Sequence, residues 1–466
     1  MRRFVFAVLA ALVLLLAGGV ANYRPDLAIR VATGLIAHTL CSSVFVSGLS
    51  PDVVYHDALQ PTPGIAFLNP AIDYSVDRLR KLASARFLGQ FESVAVYRGE
   101  TGCVIAHEGE YIAPIMDPTK NEPIAPLLPD IAGDTTVETS NSKLKAALDR
   151  AFAEPNRPPF RRTKAVVIIH RGTIVAERYA PDVRVDTKLP GYSLSKSVVN
   201  ALVAILVRQG KLTVDGPAPV PEWKDVSDPR HIISVENLMR MTSGLDLAET
   251  NSGFDPSSRI LMLEQDMAGA AARAELKMLP GMNWVYSSPS TLIVSRIVKT
   301  IAGGQPENVL QLARRELFGP LGIHSMTMEF DGERTPVGSS YFFATARDWA
   351  RFGLLYLNAG VLGGRQILPE GWVAWSATPT VESKAGYGAG FWSNRGNSPG
   401  AQQRVAMGMP PDSFFAAGSL GQYVVIVPSA QLVVVRLGMS QDRPGFDITG
   451  TARLVSDTLA ALERAP

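Results

Sequence analysis

The spacing of hydrophobic positions changes along the chain. From Phe4 to Leu16 they are continuous, behind Met1-Arg2-Arg3 and ahead of a small-residue stretch that ends at Ala21. A positive flank followed by an apolar run is the pattern of an export signal, or of an anchor if it stays uncleaved. No other stretch is expected to reach the length of a membrane span. Residues 23–139 then carry short strand-like pieces, at 43–47 and 91–97, among many prolines. A Pro-rich stretch over 114–129 and a polar linker over 133–142 close this region.

From residue 140 the pattern becomes regular. Leu144, Ala147, Leu148 and Ala151 fall on one helical face. Two β-rich runs, 165–169 and 174–179, flank a turn containing Gly172 and predict a hairpin. The runs 422–427 and 432–437 predict a second hairpin, and helical spacing returns over 448–463. Strands at both ends with helical material between them predict an α+β fold. It would have one antiparallel sheet built from both ends, flanking helices and an all-helical lobe. The expected organisation is a signal or anchor over 1–22, an accessory region over 23–139 and a main domain over 140–466.

Composition narrows the possible functions. Among 466 residues, 46% are hydrophobic, and 45 Lys+Arg stand against 43 Asp+Glu. Wholesale disorder is excluded, as is a nucleic-acid binder working through a basic surface. No two histidines stand at ligand spacing and no Gly-rich phosphate loop precedes a helix, so neither metal nor cofactor is expected. The expected partner is a small molecule, with membrane attachment possible through the N-terminal segment. Export changes the reading of the two cysteines, Cys41 and Cys103. In an oxidising compartment they are expected to pair, which stabilises the fold by about 4 kcal/mol through loop closure.

Candidate chemistry begins at Ser193-Leu-Ser-Lys196, which opens a run apolar nearly all round and ending at Arg208 and Gly210. Such a run predicts a buried helix. Ser193 would sit at its start, and Lys196, at i+3, would share its face. A desolvated lysine can take a proton from a serine hydroxyl. The same spacing occurs at Ser140–Lys143 and Ser142–Lys145, where serine is a helix cap. A cap is also the alternative for Ser193. A second element is the turn-rich loop 280–290. There Tyr286 could serve as general base beside a cationic Lys196, and Ser288 could bond Lys196 or substrate. The alternative for Tyr286 is a buried aromatic with a satisfied hydroxyl. A third element is Ala417-Gly418-Ser419, just before a strand, where an amide could join that of Ser193 in an oxyanion hole. A Gly turn feeding a hairpin is the alternative. The Gly191-Tyr-Ser-Leu-Ser195 stretch approaches the nucleophile elbow of α/β-hydrolases but lacks its last glycine.

Taken in order, these three elements resemble the serine β-lactamase and penicillin-recognising fold, class C-like, over about residues 140–460. The segment 238–245 and the helix start at 343–355 resemble the same family. The resemblance implies Ser193 as acyl-accepting nucleophile, Lys196 as its partner and Tyr286 as base in acylation and proton shuttle. Ser288 stands where the class C pattern has Asn, and Ala416-Ala417-Gly418 stands where it has Lys-Thr-Gly. The missing lysine removes a cation for a substrate carboxylate. The Tyr-Ser-Ser form is similar to the 6-aminohexanoate-dimer hydrolase and esterase branch. An exported amidase or esterase, periplasmic or otherwise extracytoplasmic, is therefore expected. The alternatives are a β-lactamase or D,D-peptidase, or a penicillin-recognising sensor without turnover.

Overall fold

The computed structural model describes residues 24–107, 114–442 and 445–463. The expected signal or anchor over 1–22 lies outside them. The central sheet has six antiparallel strands. One edge pairs Thr163–His170 with Thr173–Tyr179, and Thr163–His170 also pairs with Leu432–Gly438. The sheet continues through Gln422–Val427 and Phe414–Gly418 to Trp392–Ser393. Register sets Val435 opposite both Val167 and Val424.

These strands are buried on both faces, so their valines and isoleucines divide by period two. Val166, Ile168, Val425 and Val434 meet the helices Ser142–Phe152 and Ile448–Leu462 through Leu144, Leu148 and Val455. Val167, Ile169, Val424 and Val433 face the other way, into the core shared with the helices Leu194–Arg208 and Ala346–Leu357. Short helices and Ser288–Ala302 form the lobe beside this second face.

The N-terminal region is a helix laid on its own four-stranded antiparallel sheet, Ile72–Asp77, Leu82–Phe87, Gln90–Tyr97 and Cys103–Ile105. The helix, Pro25–Phe45, has Pro in its first turn and Asp26 at the positive end of its dipole. Ile36, Ala37 and Leu40 are fully buried in the same core as Ala83, Ala85 and Ala95 of the sheet. Two expectations are corrected here. Residues 43–47 are not a strand, because their β-branched and aromatic side chains close the helix instead. A second stretch does reach span length: the helix has 21 residues and a mean hydropathy of 1.4, yet 67% of its apolar window is buried inside the protein.

A disulfide braces this region internally, and contacts with Glu329 and Tyr341 fasten it to the rest. Cys41 and Cys103 form a disulfide joining the helix to the fourth strand of its sheet. Glu329, fully buried, pairs with His38 at 2.9 Å. Its other oxygen accepts from Ser42 Oγ and from the Cys103 amide, each at 2.7 Å. The His38 ring stacks on Tyr341 at 4.0 Å between centroids.

Candidate active site

The polypeptide turns sharply ahead of the long buried helix. Tyr192 has φ 45°, in the left-handed region, a strain of about 1–3 kcal/mol that surrounding packing must hold. Ser193 follows at the N-cap, and its side chain makes no capping hydrogen bond. The helix-cap alternative therefore does not describe this serine. Lys196 Nζ instead donates to Ser193 Oγ at 2.9 Å, to Ser288 Oγ at 3.0 Å and to the Ser339 carbonyl at 3.0 Å. Lys196 is 3% exposed and Ser288 1%. Among the described residues, no carboxylate lies within ion-pair distance of this amine.

Burial disfavours the charged form of Lys196 and lowers its pKa to about 8, with Glu249 acting weakly the other way. Tyr286 moves in the opposite direction. Burial raises its phenol well above 10, the nearby Tyr387 and Glu249 add to this, and a hydrogen bond with Ser193 opposes it. The Lys196 ammonium position lies 4.8 Å from the Tyr286 ring centroid. Tyr286 is fixed by aromatic neighbours: Trp392 stacks on it at 5.7 Å and Tyr387 meets it edge-on at the same distance.

The third element reaches the site through a backbone contact. A Cβ on Gly418 would lie 2.2 Å from the Gly191 carbonyl and 3.0 Å from the Ser193 amide nitrogen, so only glycine lets the strand approach this closely. Among the described residues, the Ser193 N–H has no backbone acceptor. Ser419 lines the same cavity as Ser193. The Ala417 side chain packs on the opposite face of the sheet, against the terminal helices, so only its backbone can face the site.

Sequence reasoning missed four contributors. Glu249 Oε2 accepts from the Ser288 amide at 2.6 Å and from Ser257 Oγ at 3.2 Å. A carboxylate following the apolar Leu245 and Leu247 was the available signal. The Ser339 carbonyl, Tyr387 and Trp392 carried no local signal, because only the fold brings them near. Among the described residues, no cluster of His, Cys, Asp and Glu could hold a metal ion. A buried amine bonded to a hydroxyl, beside a free amide and a neutral phenol, can support proton transfer from Ser193 and stabilise an oxyanion.

Ser193 opens on a cavity of about 430 Å³. The helix Pro25–Phe45 lines it together with Tyr341, Phe343 and Leu420 of the main domain. Both the N-terminal region and the main domain therefore shape the space in front of Ser193.

Residues 149–457 match the family model described as Beta-lactamase. The chain is 24% identical over 299 residues to a 6-aminohexanoate-dimer hydrolase of Paenarthrobacter ureafaciens, covering 60% of this chain and 73% of that one. A penicillin-binding protein homolog from Caulobacter crescentus superposes with a TM-score of 0.54 at 18% identity, covering 72% of this chain and all of the other (100%). A family VIII carboxylesterase superposes with a TM-score of 0.52 at 16% identity, covering 70% and 99%.

Proposed function

The chain belongs to the beta-lactamase family, and from that premise we propose that it is an exported serine hydrolase cleaving an amide or ester through a Ser193 acyl-enzyme. The observation that carries this reading is Lys196, a buried amine that, among the described residues, meets two hydroxyls and a carbonyl and no carboxylate. A buried lysine without an ion pair is costly, and the cost makes sense where the neutral amine has work to do.

In acylation, Ser193 Oγ attacks the carbonyl carbon while its proton passes to neutral Lys196 Nζ. The developing oxyanion is received by the Ser193 amide and by the strand edge at Ser419, held close by Gly418. Each such donor is worth about 3 kcal/mol in the transition state. Tyr286, kept as a neutral phenol by burial, protonates the leaving alkoxide or amine as the scissile bond breaks, and recovers a proton from Lys196. Water then attacks the Ser193 ester, its proton follows the same relay, and the acid is released. Ser288 holds Lys196, and the Ala417–Ser419 backbone lines the substrate. Residues 140–466 carry this chemistry, 23–139 form the accessory region, and 1–22 serve as signal or anchor. The Cys41–Cys103 disulfide supports an extracytoplasmic location.

β-Lactams and D,D-peptides carry a carboxylate. None of the described residues lining the cavity is Lys or Arg, while Glu249 is among them. This favours substrates without a carboxylate near the scissile bond.

The test is labelling with a fluorophosphonate. A single adduct on Ser193, lost in a folded Ser193→Ala variant, supports the reading. An adduct on another serine refutes it. Steady turnover of p-nitrophenyl acetate, rather than a single trapped acyl group, separates a hydrolase from a sensor.

A further inference from the structure

The helix Pro25–Phe45 carries apolar residues around most of its circumference and is buried over most of its length, a pattern that needs more than one face covered. One face is covered by the sheet beneath it. The other presents Pro25, Ala28, Ala32 and Leu35, spaced three to four residues apart, to the cavity in front of Ser193. Alanine at 28 and 32 leaves room that larger side chains would fill. Leu261, Met262 and Phe343 add to the apolar lining.

We propose that this cavity binds a neutral aliphatic chain attached to the scissile bond, so that the substrates are lipid-like esters or amides. The proposal rests on the Ser193 acyl-enzyme reading and names its substrate class. Several features point to this occupant. The space is continuous with Ser193, so its content is part of the substrate rather than a separate ligand. The volume of about 430 Å³ lies within the range of built small-molecule sites. Apolar side chains, among them Leu35, Leu59, Leu68 and Phe343, supply most of the lining, with Ser193, Ser288 and Glu249 at the reacting end and further hydroxyls such as Thr39, Thr62 and Ser258 elsewhere in it. The other titratable groups bordering the space are His38, 2.9 Å from Glu329, and the phenols of Tyr192 and Tyr341. Phe67, 86% exposed, and Phe254, 46% exposed, also line the cavity and so mark its outer rim. An apolar rim of this kind suits an amphiphile entering chain first.

The experiment uses the full chain with two substrate series: p-nitrophenyl esters from acetate to dodecanoate, and acetates of n-alkyl alcohols from ethyl to dodecyl. Burial of a chain predicts kcat/KM rising about three- to fourfold per methylene until the cavity is full. A rise in the first series places the chain on the acyl side, and a rise in the second places it on the leaving group; either supports the proposal. Ala28→Phe and Ala32→Phe are expected to lower the long-chain values at least about tenfold, the effect of losing two methylenes of burial, and to leave acetate unchanged. Ala28 is only half-buried, so that variant stays informative if Ala32→Phe fails to fold. A flat response in both series, with acetate turned over, overturns the chain site and leaves the acyl-enzyme standing. No turnover and no fluorophosphonate adduct on Ser193 removes both.

Discussion

Two buried polar clusters border the same cavity and solve the cost of burial in opposite ways. At the junction of the two regions, the Glu329 carboxylate is met by His38, Ser42 and the Cys103 amide. At the other cluster, Lys196 is met among the described residues by neutral oxygens, from Ser193, Ser288 and Ser339. A buried carboxylate that accepts hydrogen bonds from a helix and a strand holds pieces of structure together. A buried amine without a counter-charge is pushed towards its neutral, proton-accepting form. The comparison teaches that burial alone does not mark a reactive group; the absence of a compensating charge does.

Four changes should break or sharpen this contrast. Lys196→Met is expected to slow acylation by about 10²–10⁴-fold, the usual contribution of a positioned base, with the fold retained. Pre-steady-state burst kinetics beside circular dichroism would check it, and acylation at the parent rate would remove Lys196 from the mechanism. Glu329→Ala should act on stability instead. Leaving Ser42 Oγ and the Cys103 amide buried without their acceptor costs about 1–3 kcal/mol each, read from denaturant midpoints, while the folded fraction keeps its labelling rate at Ser193. Reducing the Cys41–Cys103 disulfide should cost about 2–4 kcal/mol and lower the denaturant midpoint by a corresponding amount. The smallest effect is expected from Glu249→Gln. The glutamate charge raises the Lys196 pKa, so its removal should move the pH–rate profile towards lower pH, while Gln keeps an acceptor for the Ser288 amide. A profile that moves to higher pH would contradict the assigned electrostatics.

Much of the sheet was legible because its strands obey local rules. Both hairpins stand where β-rich runs flank Gly172 and Pro428-Ser429, and the helices at 142–152 and 448–462 follow their apolar spacing. The helix Pro25–Phe45 was not legible, because its apolar positions are not confined to one stripe when one face meets a sheet and the other a cavity. In the site, Ser193, Lys196, Tyr286 and Ser288 could be named because each sits in a short local pattern. Their approach to one another could not be read, since Ser288 lies 92 residues from Lys196. Tyr387, Trp392 and the Ser339 carbonyl left no local trace at all. The Gly418 contact was anticipated only as a small residue at a strand start, and its reason, the Gly191 carbonyl 2.2 Å from a would-be Cβ, exists only in three dimensions.

The most direct test is the pH dependence of the rate at which a fluorophosphonate labels Ser193. With Lys196 titrating at about 8, the neutral amine is scarce below that pH and dominant above it. The rate should rise about tenfold from pH 7 to pH 9, and then level off, following the fraction of neutral amine. A rate that is flat across this range, or one that keeps climbing towards the ordinary lysine pKa near 10.5, would contradict activation of Ser193 by a desolvated Lys196.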